Sequence, residues 1–336
     1  MILQSCLLCD TVQLAAHDHV LILNSAADPF VQRAAQDLRG GTITLAEDNI
    51  ATAGAILSSF INRPDVQHFA FHDYILYHPA ETMDVAVMNL LYQPGNAWIL
   101  HGLQTAAFAL RAGGRLYVMG AKDRGILSTA KRMQEYFGNV ETLTISKGQR
   151  VVSARKQAEL PLTTQVQDVT VFANSKLDEG TRLLLAALEV RATDEALDIG
   201  SGAGFIGLHI ARLATQGHVT MVDVSLAALA VAQKAVEQSG LTNIRVLPSD
   251  GAQAVLKQRF DLVATNPPFH QGGIQTMEIT RHFIREAAQV LRPQGRFYMV
   301  ANRFLKYEPL LRAYFKSVEE VGGDTRYKVL RAMLTP

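Results

Sequence analysis

The chain has 336 residues, more than one domain usually needs, so two are expected. Hydrophobic residues at 48% against 19% charged describe a globular protein with sizeable cores, and a net charge of +1 excludes a grossly basic nucleic-acid binder. The first 170 residues hold 13 Lys+Arg against 15 Asp+Glu and the remainder 19 against 16, so any RNA contact must come from a local patch, with the second half mildly favoured.

The chain starts Met1-Ile2-Leu3-Gln4-Ser5, without the basic opening of a signal peptide, and no later apolar run approaches the roughly 18 residues that span a bilayer. A cytoplasmic protein with no membrane partner is expected, and a monomer. Cys6 and Cys9 have CxxC spacing, but a metal site needs more ligands and thiol redox chemistry needs the motif behind a strand. Two small, partly buried thiols and no metal are the expectation. No cysteine lies near the motifs below, which disfavours methylation of a pyrimidine carbon through a covalent cysteine adduct.

In chain order, Val20-Leu21-Ile22-Leu23 reads as a strand and Ile43-Thr44-Leu45-Ala46, ending in Glu47, as a second. Asp73-Tyr74-Ile75-Leu76-Tyr77-His78-Pro79 reads as a third and Leu110 to Val118 as a fourth. The polar stretch from Lys156 to Val171, containing Pro161, reads as a linker. Beyond it the order recurs. Ala196-Leu197-Asp198-Ile199 is a strand, followed by the turn Gly200-Ser201-Gly202-Ala203-Gly204 and a helix carrying Ile206, Leu208, Ile210 and Leu213. Val219 to Val222 is a strand ending in Asp223. A helix follows between the N-cap Ser225 and the stop Gly240. Ile244 to Leu247 leads to Pro248-Ser249-Asp250-Gly251, and Asp261-Leu262-Val263-Ala264-Thr265 ends in Asn266-Pro267-Pro268-Phe269. Tyr327 to Leu334 reads as a closing strand.

This alternation predicts a parallel sheet with helices on both faces, built twice. Ile22 to Glu47 spans 25 positions and so does Asp198 to Asp223; Leu110 to Val118 resembles Leu291 to Met299. Position for position, Asp73 to Pro79 aligns with Asp261 to Pro267, which makes His78-Pro79-Ala80 the counterpart of Asn266-Pro267-Pro268. The expected domains are 1–157 and 161–336. In the first, Ile22 replaces Asp198 and Asn24-Ser25-Ala26-Ala27 replaces the glycine turn, so a degenerate, non-catalytic copy is expected.

Gly202-Ala203-Gly204-Phe205-Ile206-Gly207 also satisfies the dinucleotide pattern GxGxxG, a weak signal alone. Asp198, just before the first glycine, would repel a pyrophosphate, whereas it can accept from the amino group of S-adenosylmethionine, directly or through water. Asp223 is placed to accept from the ribose hydroxyls, and Asp250 from the adenine amine. Gly200, Ser201, Gly202, Gly204, Phe205, Val224, Gly251 and Asn266 complete the expected donor site. The two prolines after Asn266 carry no N–H, leaving the Asn266 amide oxygen and the Pro267 carbonyl to accept hydrogens from a planar amine, while Phe269 stacks on the ring bearing it. Arg281, Arg285 and Arg292, read on one face of a helix opposite Ile279, Phe283 and Val290, join Arg303, Lys306 and Lys176 as expected phosphate contacts. His270 is read as orienting the loop.

The turn from Leu197 to Gly204, Asp223, Asp250, Asn266 to Phe269 and the preceding Phe172-Ala173-Asn174-Ser175-Lys176-Leu177-Asp178-Glu179-Gly180-Thr181 resemble the bacterial ribosomal RNA guanine-N2 methyltransferases of the RsmC and RlmG kind. The resemblance covers essentially the whole chain, with the specific motifs in its second half. It implies two tandem Rossmann-like class I methyltransferase domains, an α/β fold, the N-terminal one degenerate and supporting RNA binding and folding. It also implies S-adenosylmethionine-dependent methylation of one guanosine amine in ribosomal RNA, with the small ribosomal subunit favoured as partner because His270 and Gly272 follow the tetrapeptide. Methylation of a large-subunit guanine, of adenine or of a protein glutamine remain open, as does a non-catalytic ribosome-assembly factor.

Overall fold

The computed structural model describes residues 3–158, 176–268 and 274–335, without the side chains of 3–6 and 274–276. Two compact units divide the chain, Met1–Phe172 and Ala173–Pro336.

The first unit runs α1 (Leu3–Thr11), β1 (His19–Leu23), α2 (Phe30–Asp37), β2 (Thr42–Ala46), α3 (Ile50–Ser58), β3 (Val66–Phe69), α4 (Tyr74–Tyr77), β4 (Met83–Asn89), α5 (Asn96–Ala109), β5 (Leu110–Ala121), α6 (Ile126–Phe137), β6 (Glu141–Ser146) and β7 (Gln149–Arg155). The second runs α7 (Glu179–Ala187), β8 (Ala196–Ile199), α8 (Phe205–Leu213), β9 (Val219–Asp223), α9 (Leu226–Ser239), β10 (Ile244–Pro248), β11 (Phe260–Thr265), α10 (Ile274–Val290), β12 (Leu291–Asn302), α11 (Glu308–Arg312), β13 (Ser317–Gly323) and β14 (Tyr327–Met333). Each unit holds a seven-stranded sheet of the same order, β3-β2-β1-β4-β5-β7-β6 and β10-β9-β8-β11-β12-β14-β13. Five strands are parallel in sequence-spaced crossovers, and the last, β7 or β14, inserts antiparallel beside β5 or β12 rather than closing an edge.

Apolar residues on both sheet faces bury the central strands. In the second unit Leu197, Ile199, Val263 and Phe297 face one core, and Ala196, Leu262, Ala264 and Tyr298 the other. A fully buried side chain of this size contributes about 1.5–3 kcal/mol. The helix ends follow the sequence signals: Ser225 Oγ accepts from the Ala228 N–H at 3.1 Å, and Gly240 closes α9 in the left-handed conformation.

The duplication extends to individual bonds. Arg115 pairs with Asp18 as Arg296 pairs with Asp194, and Arg111 with Asp84 as Arg292 with Asp261. Glu47 accepts from the Ala26 and Asn49 N–H groups as Asp223 accepts from those of Gly202 and Ser225. The pair of Arg296 and Asp194 is almost wholly buried.

Two sequence readings are corrected. Asp73 to Pro79 is not a strand; Tyr74–Tyr77 forms the short helix α4, with Leu76 58% and Tyr77 75% exposed. The strand is β4, buried at every residue on both faces as a central parallel strand must be. Its register pairs Ile22 with Val87, as Asp198 pairs with Ala264, so the counterpart of Asn266 is Asn89 and not His78. Lys156, assigned to the linker, belongs to the first unit: its backbone bonds to Gly113 and Gly114, and its buried ammonium pairs with Glu81. The rest of the expected linker falls almost entirely outside the described residues.

Candidate active site

In an open α/β sheet, ligands bind beyond the carboxyl ends of the strands where the strand order reverses. In the second unit that point lies between β8 and β11. The Thr265 hydroxyl donates to the Ile199 carbonyl at 2.7 Å, pinning the two strand ends together. The next residues, Gly200 and Asn266, therefore leave the sheet side by side.

The glycine turn takes a path that side chains disfavour at three points: φ is +71° at Gly200, +53° at Gly202 and +87° at Gly204. At Gly202 a Cβ would meet open space, as befits backbone facing a ligand, whereas at Gly207 it would lie 2.2 Å from the Met221 sulfur. Gly207 thus serves helix-to-strand packing. Its N–H donates to Asp198 Oδ2 at 2.9 Å.

Asp198 is fully buried, and Oδ1 has no hydrogen-bond partner among the described residues. Burial pushes its carboxyl up to about 7, the nearby Asp223 charge adding to the rise and the Gly207 bond opposing it. Asp223 holds the turn open through the Gly202 N–H at 2.8 Å and the Ser225 N–H at 2.9 Å. Burial raises its carboxyl as well. The Ser201 hydroxyl is a further buried polar group without a partner among the described residues. Phe205 opens α8 behind Gly204, and Val224 follows Asp223 half-buried. Asp250 is exposed in the turn after β10, beside Gly251, whose φ is +54°. A Cβ at Gly251 would lie 2.2 Å from Glu286 Oε2, a buried carboxylate that accepts from the Ala252 N–H at 2.6 Å.

Among the described residues, Asn266 is held from one side. Its Nδ2 donates to Thr181 Oγ1 at 2.8 Å and lies 3.2 and 3.3 Å from the two Asp178 carboxylate oxygens. Asp178 caps α7, accepting from the Thr181 N–H and hydroxyl, both at 2.9 Å. Asn266 Oδ1 is buried and accepts from no described group. In the sequence Asp178 stands only as part of a longer motif. Its spacing to Thr181, an N-cap and the third residue on, was the signal that it caps a helix, but nothing local links it to a residue 88 positions away.

Phe269, His270 and Gly272 lie outside the described residues, as do Phe172 to Ser175. Lys176, Arg281, Arg285 and Lys306 are exposed. Two other expected phosphate contacts have acidic partners. Arg292 lies on β12, not on the helix, and pairs with Asp261 at 2.6 Å. Arg303, itself exposed, pairs with Glu320 at 2.8 Å and donates to the Asp324 carbonyl. Cys9 packs against the first unit's core. No helix among the described residues is long and apolar enough to cross a membrane, and no group of three potential metal-ligating side chains occurs among them.

In the first unit Gln93 bridges the equivalent strand ends. Gln93, 8% exposed, places Nε2 3.2 Å from the Leu23 carbonyl, 3.0 Å from that of Asn24 and 3.2 Å from that of Asn89. Asn24, with φ +45°, takes the turn conformation of Gly200, but Ile22 replaces Asp198.

Tandem sheets of this order, with an acid-and-glycine turn and an asparagine at the switch point of one of them, are the architecture of a class I methyltransferase. Residues 163–331 match the methyltransferase small domain family. The chain is 31% identical to the ribosomal RNA small subunit methyltransferase C of Pseudoalteromonas atlantica over 277 residues, covering 77% of this chain and 80% of that protein. It is 30% identical to the protein of that name from Pseudomonas entomophila, covering 76% and 80%. The solved T. thermophilus 16S rRNA N2 G1207 methyltransferase (RsmC), in complex with AdoMet and guanosine, superposes with a TM-score of 0.84 at 30% identity over 98% of this chain and 91% of that one. The chain belongs to the ribosomal RNA small subunit methyltransferase C family, and both of its units fall within the match.

Proposed function

We propose that this protein transfers a methyl group from S-adenosylmethionine to the exocyclic N2 amine of one guanosine in 16S ribosomal RNA, the nucleotide corresponding to that modified by its T. thermophilus relative. The observation that carries this reading is the buried Asn266 Oδ1, an acceptor without a partner among the described residues, beside the glycine turn. The orphaned Asp198 Oδ1 and Ser201 hydroxyl and the open face of Gly202 fit the donor, which supplies a sulfonium-bound methyl group.

Asp198 accepts from the donor's amino group, directly or through water, and Asp223 from its ribose hydroxyls. Asp250 accepts from the adenine amine beside Gly251. A guanine amine has its lone pair delocalised into the ring, so a strong base is not needed before attack. Asn266 Oδ1 and the Pro267 carbonyl hold the two amine hydrogens, help the nitrogen pyramidalise and aim its lone pair along the breaking carbon–sulfur bond. Phe269 stacks on the flipped base for about 1–3 kcal/mol, offsetting part of its unstacking. Lys176, Arg281, Arg285 and Lys306 contact phosphates as an exposed basic set.

Transfer of labelled methyl to naked ribosomal RNA, small subunits and large subunits, followed by mapping of the modified nucleotide, tests the proposal. Label on a guanine N2 of 16S RNA is expected; label confined to large-subunit RNA, to adenine or to protein would replace it.

A further inference from the structure

We propose that Asp178 is a positioning residue for methyl transfer: its carboxylate fixes which way round the Asn266 amide sits. This deepens the reading of Asn266 given above and rests on it.

The two ends of an asparagine amide have nearly the same shape and opposite hydrogen-bonding character. Only one orientation serves the reaction, since a flipped amide would aim two N–H donors at an amine that needs an acceptor. Nothing in Asn266 itself selects that orientation. Its neighbours do. An ionised carboxylate is acceptor-only, so Asp178, 3.2 Å away, admits Nδ2 and repels Oδ1. Thr181 alone could serve either end, but its hydroxyl proton is committed to Asp178 Oδ2 at 2.9 Å, leaving a lone pair for Nδ2 at 2.8 Å. The negative charge therefore sets the direction of the whole chain: Asn266 donates to Thr181 and Asp178, and Thr181 donates to Asp178. The opposite end of the amide, Oδ1, is left buried and without a partner among the described residues. Asp178 also caps α7 through the Thr181 N–H, so a helix end is the rigid mount for the acceptor.

Asp178→Asn separates the two roles. Asparagine is as good a cap as aspartate, so α7 should persist, but a neutral amide no longer dictates the Asn266 orientation. The expected result is a fall in kcat of about 10- to 100-fold, with KM for RNA, Kd for S-adenosylmethionine and melting temperature nearly unchanged. In an Asn266→Ala background the same change should add less than about twofold, because two residues acting through one interaction are not additive. Equal losses in both backgrounds, or a kcat within twofold of wild type, would overturn the proposal.

A second measurement does not depend on turnover. In protein labelled with 15N-asparagine, the Asn266 side-chain NH2 pair, assigned by its loss in Asn266→Ala, should shift in Asp178→Asn. An unchanged pair also refutes the proposal. If wild-type protein methylates some other amine, the reading of guanine N2 fails while both measurements still judge Asp178.

Discussion

Asn89 and Asn266 stand at the same place in the two units, at the carboxyl end of the strand next to the switch point, and they differ in what their amide oxygen meets. Asn89 Oδ1 accepts from the Leu91 N–H at 2.9 Å; Asn266 Oδ1 accepts from no described group, because the residue two further on is Pro268, which has no N–H. Pro268→Ala restores that donor. It is expected to lower kcat about tenfold through capture of Oδ1, with donor affinity unchanged in calorimetry. Wild-type turnover would show that the second proline serves only to stiffen the chain.

Removing the acceptor altogether is more severe. Asn266→Ala should reduce kcat by about 100-fold or more, with Kd for S-adenosylmethionine within a few-fold of wild type. Single-turnover transfer alongside calorimetry separates the two effects, and retained turnover would remove Asn266 from the mechanism.

One donor molecule per chain is expected. The first unit has Ile22 where the second has Asp198, and Gln93 bonds across its strand ends. Calorimetry should give a stoichiometry near one, abolished by Asp223→Ala; a second site surviving that change would place donor binding in the first unit.

Donor affinity should depend on pH through Asp198. Free protein holds this carboxyl up to about 7, and pairing with the donor's ammonium lowers it, so below about pH 7 binding must release a proton. Kd is expected to weaken roughly tenfold for each pH unit below 7 and to level off just above it. Asp198→Asn should flatten the profile at weak affinity; an equally steep profile in that variant would assign the proton elsewhere.

The two ion pairs that repeat between the units should differ in worth. Arg296→Ala leaves the Asp194 carboxylate, 2% exposed, without its partner and is expected to cost about 3–5 kcal/mol in urea unfolding. Arg115→Ala should cost less, because that side chain is 26% exposed and water can replace it. Equal costs would mean that burial does not set the difference.

Local chemistry determined much of this protein from sequence alone. The acid and glycines from Asp198 to Gly204, the capped helix from Ser225 to Gly240 and the strand ending in Asn266 are each specified by neighbours in the chain, since positive φ, capping and two-sided burial leave marks in residue type. The duplication was legible from recurring spacing. What only the tertiary structure decided were partnerships between distant segments. Asp73 to Tyr77 and Met83 to Asn89 are both short apolar runs; the sheet selects the second because only it can be buried on both faces between β1 and β5. That choice moved the counterpart of Asn266 from His78 to Asn89. The bond from Asn266 to Asp178 and the burial of Lys156 were likewise invisible, because a hydrogen bond across 88 residues carries no periodicity and no spacing rule. The sequence therefore pointed to Asn266, and the bonds to the capped end of α7 decided which way its amide faces.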